Sequence, residues 1–169
     1  MASQKGLIGA ADLMAELQSD PVWIAQDAAR ESKRQAAEQR FRTEEEPMIA
    51  DLAKAGFTVG SVWDLVNTTD NYTAAIPVLL DHLKCSYHER IRNGIIRALT
   101  VKEARGIAGG DVLRELLHEK NDENRWALAN ALTVVGDKNQ VTTIEALVDD
   151  PRFADVSERL KEALKNLKR

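Results

Sequence analysis

Hydrophobic positions recur at helical spacing along almost the whole chain. Leu7, Ile8, Ala11, Met14, Ala15 and Leu17 predict a first helix, weakened by Gly6 and Gly9 in its opening turn. Ser19-Asp20-Pro21 then signals a helix start, with Asp20 as N-cap and Pro21 as the first helical residue. From Pro21 to about Arg42 the apolar residues crowd the beginning, as Val22, Trp23, Ile24 and Ala25. After them only alanines and Phe41 remain. Such a helix cannot bury a broad face, and the pairs Asp27–Arg30, Glu31–Arg34 and Glu38–Arg42 suit a solvated surface. The segment therefore reads as a solvated arm or connector pinned at Trp23 and Phe41, or as a dimerisation or partner-binding helix. Thr43-Glu44-Glu45-Glu46 spells a capping box. It predicts a new helix from Thr43 to Lys54 or Ala55, with Pro47 in its first turn and Met48, Ile49, Leu52 and Ala53 inward. Gly56 would stop it, and Ser61–Asn67 predicts a short helix around Val62, Trp63, Leu65 and Val66.

The stretch from Tyr72 to Val135 contains one unit twice. Ala75–Leu83 and Glu89–Leu99 form the first helix pair, and Asp111–Leu117 and Asp122–Leu132 form the second. At a shift of 33 residues Arg92 falls on Arg125, Ile95 on Leu128, Ala98 on Ala131 and Leu99 on Leu132. Ile76, Leu79, Leu80 and Leu83 make one apolar stripe, and Val112, Leu113, Leu116 and Leu117 make the corresponding one. A glycine-rich link, Lys102–Gly110, joins the copies. A third, more degenerate unit follows Gly136-Asp137, with Val141, Ile144, Leu147 and Val148 in one helix and Val156, Leu160, Ala163, Leu164 and Leu167 in the next. The pattern predicts an all-α chain with an N-terminal helical extension over residues 1–42 and a repeat domain over 43–169.

Alanine, leucine and charged residues dominate the composition, and 30% of the chain is charged, which favours solvated helices. The net charge of −4 gives no general attraction to nucleic acid or anionic membranes. It is carried by residues 1–71, at −5, whereas 72–135 carry +1. One cysteine, Cys85, allows no internal disulfide. No apolar run approaches the ~18 residues of a membrane span, and the N-terminus lacks the pattern of a signal peptide. A cytoplasmic location without membrane association is the expectation.

Stacked helix pairs repeating every few tens of residues mark an α-solenoid. The chain resembles HEAT repeats in IPVLLDHL (Ile76–Leu83), Ile91-Arg92, NRWALANAL (Asn124–Leu132) with Gly136-Asp137, and IEALVDDP (Ile144–Pro151). It departs from them at the glycine-rich link, at Asn124 where an apolar residue is usual, and in the third unit, which lacks the arginine. The layout is also similar to small bacterial HEAT-repeat proteins, through the segments Glu16–Ala25 and Ala55–Asn67. The resemblance implies a HEAT-like α-α superhelix of about three pairs and no established activity. It implies that Arg92 and Arg125 brace the turn and an acid of the neighbouring unit. It also implies a concave surface lined by the second helices.

On that surface the alignment pairs Asn93 with Trp126, Ile96 with Ala129 and Arg97 with Asn130, with Glu158 and Glu162 nearest in the third unit. Trp126 and Arg97, with Asn93, Asn130 and the flanking Arg90, are the candidate partner-binding residues, and Trp23 is the rival on the N-terminal helix. Trp and Arg dominate interface hot spots. The reading is a non-catalytic protein-binding scaffold, with a toxin-neutralising immunity or antitoxin protein as a more specific alternative. A DNA glycosylase-like protein using Arg90, Arg92, Arg97, Arg125, Trp126 and Asp122 is a weaker one. No cofactor or metal is expected. His82, Cys85 and His88 recur by threes but straddle a turn, His118 ends a helix, Asp149-Asp150 reads as a polar turn, and no phosphate-loop or zinc-protease motif occurs.

Overall fold

The computed structural model describes residues 9, 10, 14 and 19–169, and among these every regular element is helical. The helix expected over residues 7–19 lies largely outside the described residues; Met14, which is described, is exposed. The chain divides into two compact units, Met1–Phe41 and Arg42–Arg169. No helix among the described residues is long and apolar enough to cross a membrane.

Helix α1 spans Pro21–Lys54. Asp20 starts it as anticipated, accepting the Val22 N–H at 2.8 Å, and Glu31–Arg34 closes at 2.9 Å on its exposed face. The predicted break at Thr43 does not occur. The residues before it, Gln35–Arg42, are good helix formers, so Thr43 stays helical and its capping box is never used. Pro47 therefore sits deep inside a helix, where it has no N–H to offer the carbonyl of Thr43. The acids meant to cap this helix cap two others. Glu45 is buried and accepts from the Ser61 hydroxyl at 3.2 Å and from the Val62 backbone, at the start of α2 (Val62–Asn67). Glu44 accepts the His88 N–H, at the start of α4. Met48 and Leu52 are buried, but Ala53 is exposed, contrary to expectation.

The remaining helices are α3 (Ile76–Leu83), α4 (Glu89–Leu99), α5 (Gly109–His118), α6 (Asp122–Val135), α7 (Val141–Val148) and α8 (Ser157–Leu167), with 3-10 turns before α3, α5, α7 and α8. They pack as successive pairs, α3 on α4, α5 on α6 and α7 on α8. The second members form their own layer, α4 on α6 and α6 on α8, and α2 packs on α4. Ile91, Ile95, Ile96 and Leu99 from α4 are fully buried, as are Leu128, Leu132 and Val135 from α6. Each such side chain contributes about 1.5–3 kcal/mol. Leu117 was expected inward but is exposed.

Two arginines tie the pairs together. Arg92 Nε donates to Glu119 Oε2 at 2.6 Å, Nη2 to Glu115 Oε2 at 2.8 Å, and Nη1 to the carbonyl of Leu83 at 2.6 Å. It thereby joins the last residue of α3 to α5. Arg125 repeats the device one unit on. It forks onto Asp155 at 2.7 and 3.0 Å, donates to the carbonyls of Arg152 and Glu119, and lies 5.1 Å from the Phe153 ring centre. The equivalence read at a shift of 33 is thus one of role as well as residue type.

Gly94 sets the approach of α2. A Cβ there would meet Val62 Cγ1 at 2.5 Å and the Trp63 ring at 3.2 Å. Gly94→Ala should therefore destabilise by about 1–3 kcal/mol through overpacking, read as a lower urea midpoint with an unchanged slope. Arg92→Met should cost about 2–3 kcal/mol, because it leaves Glu115 and Glu119 without their shared counter-charge. Arg125→Met should cost less, since its partner Asp155 is 44% exposed.

Candidate functional site

Packing on three sides leaves the second-member helices few free positions. Helix α4 is covered by α3, α6 and α2, and α6 by α4, α5 and α8. On α4 the side chains of Asn93, Ile96 and Ala98 are all buried, while Arg97 is exposed. On α6, Asn124, Ala127 and Ala129 are buried and Trp126 remains 39% exposed.

These helices and α2 surround a small cavity of about 230 Å³, lined by Val66, Arg97, Thr100, Trp126, Ala127 and Asn130. Arg97 also borders a cavity of about 290 Å³ under the polar loop Thr68–Thr73, where Asp70 and Glu103 supply acids. Trp126 also borders a wider, shallower one of about 610 Å³ along α8. The three hollows share residues and together form a groove across the second-member helices.

The arginine at its centre is held from behind. Arg97 Nε donates to Asn93 Oδ1 at 2.6 Å, and Asn93 Nδ2 donates to Asn124 Oδ1 at 3.0 Å. Asn124 is oriented in turn by its backbone N–H, which donates to Asn121 Oδ1 at 3.0 Å. Both amides are almost fully buried, at 3% and 1% exposed. A buried amide must be paired, and here Asn93 donates to Asn124 while accepting from Arg97. Trp126 carries the Arg159 guanidinium over its ring, 5.0 Å from the centre. That stacking steadies the indole while leaving part of it accessible. Arg159 is itself paired with Glu162 at 2.7 Å.

Three of the six sequence candidates, Trp126, Arg97 and Asn130, therefore converge on one cavity. Asn93 is corrected: it is buried and positions Arg97 instead of facing outward. The same correction applies to Ile96 and Ala129, which are buried. The physical reason is that α2 and α6 cover the face of α4 that simple stacking would leave open. Arg90 is exposed but does not line the groove. Its backbone N–H donates to His88 Nδ1 at 3.2 Å, and its charge favours the ionised form of Glu45. Trp23, half-buried, belongs to the first unit, beside the exposed Val22 and Ile24.

The sequence reading missed Val66, Thr100 and Arg159. Arg159 was within reach, since it lies 33 residues beyond Trp126 and so continues the column Asn93, Trp126, Arg159. Val66 and Thr100 carry no such signal. Glu158 and Glu162, named for this face, do line its α8 end, paired with Lys161 and Arg159.

The titratable residues elsewhere are structural in their contacts. His82 is buried, with Nδ1 2.6 Å from the Tyr87 hydroxyl and Nε2 3.2 Å from Asp51 Oδ2, so it links α3 to α1 and to the turn. Cys85 is exposed, with Sγ 3.6 Å from the Asp81 carbonyl. Asp150 caps the turn after α7 and accepts from Arg152. Among the described residues no three His, Cys, Asp or Glu side chains group as metal ligands. Comparison of the chain with family models, with curated proteins and with solved structures returned no match.

A buried carboxylate, Glu45, and a half-buried one, Glu119, titrate in opposite senses. Burial pushes Glu45 above the usual carboxylate range, only partly offset by Ser61 and Val62. Burial also acts on Glu119, but Arg92 and the N–H groups of Asn121 and Lys120 outweigh it and hold it below the range. A raised folded value stabilises only while the group is protonated, so the Glu45 contribution is present below about 4.5 and is lost as pH rises. Glu119 contributes above about 4.5 and loses its contribution on acidification. Glu45→Gln should thus raise the melting temperature more at pH 7 than at pH 4, measured by circular dichroism, whereas Glu119→Gln should lower it more at pH 7 than at pH 4.

Proposed function

We propose that the chain is a non-catalytic, HEAT-like module of about three stacked helix pairs that binds a protein partner along the groove centred on Trp126. The observation that carries this reading is the tryptophan itself. It is more than a third exposed on an otherwise tightly packed helix, it is braced by Arg159, and it meets Arg97 and Asn130 at one cavity. A large aromatic ring held in place at a solvated surface costs little further entropy on binding. Such residues, with arginine, are where interface energy concentrates. The packed helices behind the groove present it preformed.

Nucleic acid is a poor fit. The groove is not basic overall: Asp70, Glu103, Asp155, Glu158 and Glu162 balance Arg97, Arg159, Lys161 and Lys165 along it. Phosphate backbones require cations to neutralise them.

Trp126→Ala should abolish capture of the partner in a tagged pull-down from native cells, while the thermal melt stays within a few degrees of the parent. A second variant, Val22→Ser with Ile24→Ser, tests the apolar start of α1. Loss of the same partner only in that variant would place the binding surface on the first unit and refute the groove.

A further inference from the structure

We infer that the cavity between α4 and α6 is a carboxylate pocket: it takes an aspartate or glutamate side chain of a partner polypeptide, forked onto the two Nη atoms of Arg97, with the flanking residue laid on Trp126. The inference rests on the groove's being a protein-binding surface.

Arg97 is the only charged residue lining this cavity. The other arginines around it are occupied. Arg92 holds Glu115 and Glu119, Arg125 holds Asp155, and Arg159 holds Glu162. Arg97 alone has an amide as partner and no carboxylate among the described residues. That amide takes Nε, and among the described residues neither Nη group is engaged; Asp70 and Glu103 border the adjoining cavity without forming an ion pair with it. The Asn93–Asn124 relay is almost fully buried, so it orients the guanidinium without neutralising it. A planar fork with its stem anchored is the geometry that receives a carboxylate through two parallel hydrogen bonds. Lysine, a point charge, would gain nothing from such a relay.

The surroundings narrow the ligand. About 230 Å³ accommodates one side chain. Val66, Ala127 and the Trp126 face give the site an apolar wall, while Asn130 brings an amide able to donate to the second carboxylate oxygen. A cationic residue would be repelled by Arg97, and a neutral one would leave the fork unpaired and partly desolvated. The occupant is therefore an acidic side chain beside an apolar one.

The probe is a randomised dodecapeptide library displayed on phage and panned against the full chain, followed by synthetic peptides with their acidic residue changed to Gln or Asn. We expect one acidic position to be enriched next to an aromatic or aliphatic residue. Replacing that acid by its amide should weaken binding roughly tenfold or more. Arg97→Gln should weaken the acidic peptide by the same factor and leave the amide peptide unchanged, and Arg97→Lys should restore only part of the loss. Circular dichroism of both variants should match the parent. Peptides that need Trp126 but lack an acid, or an acid-to-amide change of equal effect in the parent and Arg97→Gln, would overturn the carboxylate pocket and leave the groove as a binding surface. If no peptide separates the parent from Trp126→Ala, both the pocket and the groove reading fall.

Discussion

The stack depends on the guanidinium of Arg92. Alanine- and leucine-rich helices bury area well, but the hydrophobic effect has no direction and leaves them free to slide or rotate against one another. Arg92 removes that freedom with three bonds, to the end of α3, to Glu115 of α5 and to Glu119 just beyond it. Each bond is charge-assisted, or made to a carbonyl that the end of a helix leaves unpaired. Arg125 does the same for the next pair. With α4 and α6 locked in rotation, the identity of their outward residues is settled too.

That rotation links structure to the proposed binding role. Arg97 is five residues past Arg92 on the same helix, and Trp126 follows Arg125 directly. The clamps face one side and these two residues face the groove. Between them the Asn93–Asn124 pair carries polarity through the interior to the base of Arg97. Two neutral amides do this at less desolvation cost than a buried ion pair, and they leave the arginine's charge for a partner.

The acidic run Glu44–Glu46 shows how a local signal can be correct in kind and misplaced in target. Acids suit the positive ends of helices. Here they sit in the middle of α1, yet Glu44 and Glu45 reach the first residues of α4 and α2, elements far along the chain. The capping chemistry was legible, but its recipients were not, because they are brought there only by packing. Pro47 is consistent with this arrangement: it lies two residues after Glu45, within a helix kept continuous by strong helix formers on its N-terminal side.

The sequence by itself determined the all-helical class, the order of helices after residue 60 and the match of Arg92 with Arg125 at a spacing of 33 residues. These follow from apolar periodicity and from residue types that recur at one spacing, both of which are local properties. It also singled out Trp126, from its place opposite Asn93 in the alignment, although Asn93 itself is buried. Only the tertiary structure decided that Asn93, Ile96 and Ala129 are buried, that Val66 and Thr100 complete the cavity, and that Asn93 serves Arg97 rather than a partner. The physical reason is that periodicity shows which face of a helix is apolar but not how many neighbours cover it. Helix α2, admitted close to α4 by the missing side chain of Gly94, closes a face that the repeat pattern would have left to solvent.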